Sequence, residues 1–307
     1  MALPYCQAYG RCISTLTAVA RSCLSPVVLL AADAPYRLYS TGNKQTVSFG
    51  FQEIKADEKS ERVGQVFSSV ASSYDTMNDL MSGGLHRLWK DRLVTRLQPF
   101  AGMRHLDVAG GTGDVAFRIL REMREDQIRQ QKESDSPTLV QLGRVHVCDI
   151  NPDMLQEGQR KAQKQQIGEE GGLAWVVGDA EQLPFQDGSM DAYTIAFGIR
   201  NVTNIDAALA EAFRVLKKGG AFHCLEFSQL ALPGLRELYD AYSFQVIPQI
   251  GRIVANDEAS YQYLVESIRR FPDQNTFAAL IRDAKFSGVS YENLSGGICA
   301  IHSGFKL

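Results

Sequence analysis

No stretch of the 307-residue chain stays apolar long enough to cross a bilayer. The best candidate, Pro26-Val27-Val28-Leu29-Leu30-Ala31-Ala32, is stopped by Asp33, whereas a spanning helix needs about 20 apolar residues. The expectation is a soluble or peripheral protein. An excess of one charge is lacking too. With 32 Lys and Arg against 35 Asp and Glu the net charge is −3, which removes the bulk electrostatic case for nucleic acid while leaving room for a local basic patch. Five histidines are scattered without metal-ligand spacing, and six cysteines show no CxxC pair. Neither a zinc site nor a disulfide framework is expected. Cys148, Cys224 and Cys299 sit in apolar, strand-like runs and read as buried reduced thiols.

Acids are also scarce in residues 1–42, where Asp33 faces Arg11, Arg21 and Arg37 among many Ser, Thr and Ala. That composition is typical of a transit peptide. Arg37-Leu38-Tyr39-Ser40 resembles a matrix-protease site, so 1–42 is read as a mitochondrial leader, with a plain disordered tail as the alternative. Residues 43–307 then form one large α/β domain, for which 45% hydrophobic content is ample.

What is present centres on Leu106-Asp107-Val108-Ala109-Gly110-Gly111-Thr112-Gly113-Asp114. It reads as a buried strand running into a glycine-rich turn that opens a helix (Val115, Ala116, Phe117, Ile119, Leu120). Such a corner aims backbone N–H groups at a ligand. Gly111-x-Gly113-x-x-Ala116 also satisfies the dinucleotide fingerprint, so NAD(P) and S-adenosylmethionine (SAM) both stay open at this point.

Before the hub, apolar residues at 63, 66, 67 and 70 predict a helix in a cap spanning 43–100, and Leu93, Val94 and Leu97 predict another. After it, strands are expected at 144–149, 173–177, 190–197 and 221–227. Helices are expected after Pro152 and from about Ile205 to Leu216, the latter stopped by Lys217-Lys218-Gly219-Gly220. The polar stretch 121–143 reads as a helix end plus solvated loop. Two strands around Ser295-Gly296-Gly297 predict a closing hairpin. This alternation implies a mainly parallel, doubly wound sheet with ligands at the carboxyl ends of its strands.

The strand ends favour SAM. Asp149 can accept both ribose hydroxyls, Asp179 can take the adenine amine beside the Ala180 backbone, and Gly111, Thr112 and Gly113 remain for the amino-acid end. A helix-capping role is the alternative for each aspartate. The dehydrogenase reading lacks a Tyr-x-x-x-Lys pair after the fourth strand of the sheet. It also expects an acid about 20 residues past the glycines, whereas Asp149 comes 36 after Gly113.

Two long signatures carry a resemblance. Tyr74-Asp75-x-Met77-Asn78-x-x-x-Ser82-x-Gly84-x-His86-Arg87-x-Trp89 and Arg214-Val215-Leu216-Lys217-Lys218-Gly219-Gly220-x-x-x-x-Leu225-Glu226-Phe227, with Ala196-Phe197-Gly198-Ile199-Arg200-Asn201 and the ending Ile301–Leu307, resemble the ubiquinone/menaquinone biosynthesis C-methyltransferases. The likeness runs from about residue 48 to the end. Lys218, Gly83 and Lys285 depart from the family's usual residues. The resemblance implies a class I SAM-dependent methyltransferase fold, Rossmann-like, with a seven-stranded sheet ending in an antiparallel hairpin. It implies methyl transfer from SAM to a ring carbon of a polyprenyl benzoquinol, made nucleophilic by its hydroxyl. It further implies a place among other ubiquinone-biosynthesis enzymes in a complex, peripheral on the matrix side of the inner membrane, with self-association open.

The catalytic candidates are Arg200, as electrostatic stabiliser of a developing phenolate, Asn201, orienting the ring, and Tyr74. Asp75 and His86 are alternative bases, each as readily a cap or a packed residue. Leu235, Leu238, Tyr239, Tyr242 and Val246 share a helical face that suits either a polyprenyl channel or an ordinary core. A non-catalytic scaffold and an NAD-dependent oxidoreductase are the competing functions.

Overall fold

The order of the central sheet follows from which apolar runs can be buried on both faces. The computed structural model describes residues 46–71, 74–133, 143–167, 171–230 and 258–307. Strand β3 (Arg104–Val108) lies at the centre, flanked by β4 (Arg144–Asp149) and β6 (Met190–Ala196). Outside them lie β5 (Leu173–Val177) and β7 (Leu216–Phe227). Then come β9 (Cys299–Phe305) and β8 (Ser287–Leu294), giving the order β5-β4-β3-β6-β7-β9-β8. The first five pair in parallel; β9 pairs antiparallel with both β7 and β8. The expected closing hairpin is therefore present, turned by Ser295–Gly297.

Alternate side chains of each strand serve opposite faces. Leu106, Val108, Ile195 and Phe222 pack toward helices α6 (Ile205–Val215) and α8 (Gln274–Asp283). Val145, Val147, Leu225 and Ile301 pack toward α3 (Leu85–Leu97), α4 (Asp114–Glu133) and α5 (Pro152–Lys164). Leu93 and Ile119 are wholly buried there, and each such side chain stabilises the fold by roughly 1.5–3 kcal/mol. All three described cysteines are buried free thiols, as their apolar runs implied. Burial pushes Cys148 up to about 12.

The cap holds α1 (Ala56–Val70), α2 (Tyr74–Ser82) and α3, with α7 (Glu258–Arg270) beside them. It opens with a hairpin that the sequence did not announce, β1 (Thr46–Phe49) against β2 (Gln52–Lys55). β2 buries only Ile54, so its pattern carries little strand signal. Phe49 instead stacks on Tyr263 of α7, with centroids 4.3 Å apart, and the Phe51 N–H donates to Glu266 Oε2.

A second departure concerns Lys217–Gly220, expected as a left-handed helix stop. α6 already ends at Val215, and Leu216 is extended at φ −71, ψ 140. The four residues instead bulge out of β7 between the pairs Met190↔Leu216 and Ala192↔Ala221. Gly219, at φ +82, donates to Lys306 O. The glycines serve a strand bulge rather than a helix cap. In the polar stretch, α4 continues to Glu133; residues 134–142, the segment 1–42 expected as a leader and the apolar face expected at 235–246 lie outside the described residues.

Candidate cofactor and substrate cleft

At the carboxyl end of β3 the chain turns sharply, and the turn forms the floor of a cleft of about 1120 Å³. Ala109 takes φ +50 and Phe197, at the end of neighbouring β6, takes φ +57. Two non-glycine residues in the left-handed region, both lining one cleft, mark a strained floor held by its surroundings. Gly110 is needed for space: a Cβ there would meet Val147 Cγ1 at 2.6 Å. Gly113, at φ +82, needs both its conformation and its size, because a Cβ would lie 2.7 Å from Trp175. Gly113 packs beneath the floor and does not line the cleft, whereas Gly111 and Thr112 do.

Asp149 and Asp179 both line the cleft. Asp149 receives the Gly111 N–H on Oδ2 and the Asn151 N–H on Oδ1, each at 2.9 Å. Burial pushes its carboxyl up to about 6, against these backbone bonds. Asp179 accepts the Glu181 N–H at 2.9 Å, and both Asp179 and Ala180 line the cleft. Thr112 is buried and donates to Asp75 Oδ1 at 3.3 Å. The carboxylate of Asp75 also holds Lys161, so Asp75 fastens α2 to the site. His86 is buried on α3, with Nε2 2.8 Å from Asp79 Oδ1. Neither Asp75 nor His86 lines the cleft.

Several cleft residues were not singled out by the sequence. Asp107, in the middle of the hub strand, is 1% exposed and lines the cleft. Its Oδ1 accepts the Thr194 hydroxyl at 2.6 Å, while Oδ2 is buried with no partner. Burial pushes this carboxyl up to about 7. Lys90 of α3 reaches the wall and pairs with Asp114 at 2.8 Å. Asn151 caps α5 and sends Nδ2 to Gly64 O and Ser68 Oγ, tying α1 over the opening. From α1, Val63 and Phe67 form an apolar wall.

Arg200 and Asn201 are neighbours in a 3-10 turn, Ile199–Asn201, but their roles diverge. Asn201 lines the cleft, and its Oδ1 accepts the Tyr263 hydroxyl at 3.0 Å, which leaves Nδ2 to donate to a ligand. Arg200 does not line it. Its guanidinium is buried in an ion pair with Glu226, 2.9 Å away, and donates to Phe197 O. It borders a second hollow of about 670 Å³ with Lys59, Tyr263 and Arg270. The expected place of Arg200 beside the cofactor crevice is corrected accordingly: the turn directs the two side chains apart, and the buried Glu226 carboxylate claims the arginine. The two hollows share Val202 and Thr203. Lys59 of α1 seals that partition by donating to Val202 O at 2.8 Å. Tyr74 opens α2, and its side chain lies outside the described ones.

Known proteins share this arrangement. The ubiE/COQ5 methyltransferase family matches residues 55–306. A 2-methoxy-6-polyprenyl-1,4-benzoquinol methylase, mitochondrial, of Arabidopsis thaliana is 59% identical over 265 residues, covering 86% of this chain and 92% of that one. The protein of the same name from Homo sapiens is 55% identical over 281 residues, 84% of each. Among solved structures, a SAM-dependent methyltransferase of Thermotoga maritima, described as a possible histamine N-methyltransferase, is similar with a TM-score of 0.52 at 18% identity. It covers 79% of this chain and 99% of that one. Likeness at that identity speaks for the fold alone, the class I SAM-dependent methyltransferase fold.

Proposed function

The chain belongs to the ubiE/COQ5 methyltransferase family and is a SAM-dependent methyltransferase; we propose that it methylates a ring carbon of a 2-methoxy-6-polyprenyl-1,4-benzoquinol in ubiquinone biosynthesis. Family membership favours this reading over the oxidoreductase and scaffold alternatives. The observation that carries the reading is the pair of buried carboxyls on the cleft floor. Asp149 stands with both oxygens already oriented by backbone donors, and Asp107 offers an unpartnered buried oxygen.

The residues fit the cofactor. Asp149 would accept the ribose hydroxyls, Asp179 and Ala180 would meet the adenine edge, and Gly111 and Thr112 would line the amino-acid end, whose ammonium suits Asp107. When bound, SAM supplies a methyl group on a positively charged sulfur. Beyond these residues the lining continues to apolar and aromatic side chains, which suit an aromatic ring beside the cofactor.

That ring is proposed to lie between the Phe197–Asn201 wall and Val63 and Phe67 of α1. A phenol loses its proton near pH 10, and donors aimed at the oxygen where charge develops lower that barrier. Asn201 Nδ2 is the proposed donor, its amide fixed by Tyr263. Arg200 acts behind it, holding Phe197 O and, through Glu226, the turn that carries Asn201. The mitochondrial names of the relatives support a mitochondrial enzyme. Among the described residues no helix is long and apolar enough to cross a membrane, which agrees with peripheral attachment on the matrix side. The leader at 1–42 and a complex with other ubiquinone-synthesis enzymes belong to the same proposal.

The test is methyl transfer from labelled SAM to a panel of benzoquinols presented reduced and oxidised. Transfer to the reduced forms only is expected, and Asn201→Leu should bind SAM normally while losing turnover. Equal labelling of oxidised quinones would refute the mechanism.

A further inference from the structure

Beneath the cleft floor lies a buried polar relay for which SAM binding in general gives no reason. Asp107 on β3 is paired in register with Thr194 on β6. Thr194 is wholly buried and its hydroxyl lies 2.6 Å from Asp107 Oδ1. His105, two residues earlier on the same face of β3, is also wholly buried, with Nε2 2.8 Å from the same hydroxyl. A threonine hydroxyl has one hydrogen, and the carboxylate oxygen can only accept it. His105 must therefore donate from Nε2–H, leaving Nδ1 as the bare acceptor, and Nδ1 is indeed without a partner. The relay runs one way: imidazole N–H to hydroxyl oxygen, hydroxyl hydrogen to Oδ1.

We propose that Thr194 and His105 are positioning residues that hold Asp107 in one orientation, with Oδ2, buried beneath the cleft floor, left for the primary ammonium group of the cofactor. The proposal rests on the SAM reading above and deepens it. The Thr194 hydroxyl on Oδ1 fixes the rotation of the carboxyl group and favours its ionised form, and the remaining oxygen is the atom without a partner. A buried anionic oxygen left bare is unfavourable, and a ligand cation is its natural complement. The charged groups acting on Asp107 are Lys90 from α3, Asp149 from β4 and Asp114 from α4. Lys90 is engaged by Asp114 at 2.8 Å, so it does not substitute for a ligand cation.

Two probes separate positioning from packing. S-adenosylhomocysteine carries the ammonium group; 5′-methylthioadenosine keeps the nucleoside and lacks the amino-acid portion. By calorimetry on the full chain, Thr194→Val should weaken S-adenosylhomocysteine about tenfold or more, the scale of a hydrogen bond to a charged group. It should leave 5′-methylthioadenosine within about twofold, the usual additivity error. Thr194→Ser, which keeps the hydroxyl, should restore binding, and His105→Phe should show the same ligand selectivity. Because the Thr194 bond favours the ionised carboxyl, the pH midpoint for S-adenosylhomocysteine binding should move upward in Thr194→Val. Equal losses on both probes, or loss on neither, would overturn the proposal. Asp107→Asn tells the two readings apart. If that variant binds S-adenosylhomocysteine normally, the ammonium assignment itself fails. If it loses binding while Thr194→Val does not, only the positioning role fails.

Discussion

Arg200 and Glu226 form the ion pair on which the proposed substrate wall depends. Both side chains are almost completely buried, and removing one partner of such a pair typically costs roughly 3–5 kcal/mol because the other charge is left bare. Arg200→Ala should therefore lose stability in urea unfolding as well as turnover, and adding Glu226→Gln should recover part of the stability but not the activity. Unchanged stability in the single variant would contradict the structural role. Asp149→Asn, which keeps the side-chain shape but loses the charge, should weaken SAM by about tenfold or more with little change in quinol KM. A rise in quinol KM alone would place Asp149 at the wrong ligand. The positions of Asp149 and Asp179 at the carboxyl edge of the sheet were legible in the sequence, because Asp149 ends β4 and Asp179 follows the end of β5 by two residues. Arg200 was not. In a 3-10 turn, consecutive residues project about 120° apart, so adjacency in sequence says nothing about sharing a pocket. Asp107 escaped for another reason. An acid in the middle of an apolar strand offers no pattern, and only the structure shows that it is buried with one oxygen bare.

Helix α1 closes the cleft through polar ties at separate points. Asn151 reaches Gly64 O and Ser68 Oγ, Ser68 donates to Asp153, and Lys59 holds Val202 O. Asn151 is also the N-cap of α5, receiving the Asp153 and Met154 N–H groups. Asn151→Ala should thus cost about 1 kcal/mol of stability as a lost cap and, beyond that, speed SAM release in stopped-flow experiments. A variant with lower melting temperature but unaltered release would show that α1 is not a lid. The helix itself was evident from apolar residues at 63, 66 and 67. Its function was not, because the partners are backbone carbonyls and an asparagine far along the chain. The same contrast holds at Lys217–Gly220, where glycines after an apolar helix read as a cap. Pairing with Met190 of β6 draws Leu216 into the sheet, pairing with β6 and β9 resumes at Ala221, and the residues between are forced into a bulge.

On the scale of the whole molecule, all five histidines have their pKa lowered, chiefly by burial: His105 to about 3, His146, His223 and His302 to about 4, and His86 in the same direction. An unfolded histidine titrates near 6.5. Between those values the unfolded chain binds protons that the folded chain does not, so stability is full above about pH 6.5 and falls as the pH drops toward 4. Asp107 and Asp149, raised to about 7 and about 6, act in the opposite sense. With Glu226, also raised by burial, three carboxyls stand against five imidazoles, which leaves acidification destabilising. The melting temperature should decline steadily from pH 6.5 to 5, and a flat or rising profile would contradict these burial assignments. The architecture was the most legible level. Alternating strands and helices, and a glycine-turned hairpin at the end, reappear as the seven-stranded sheet, because period and length suffice to specify them.

The central claim is carbon methylation of a reduced benzoquinol. It is tested most directly by incubating the full chain with 13C-methyl SAM and a reduced 2-methoxy-6-polyprenyl-1,4-benzoquinol, then locating the label in the product by NMR. The account predicts the labelled methyl on a ring carbon. Label on a hydroxyl oxygen as a methyl ether, or no incorporation by a protein that binds SAM, would contradict it.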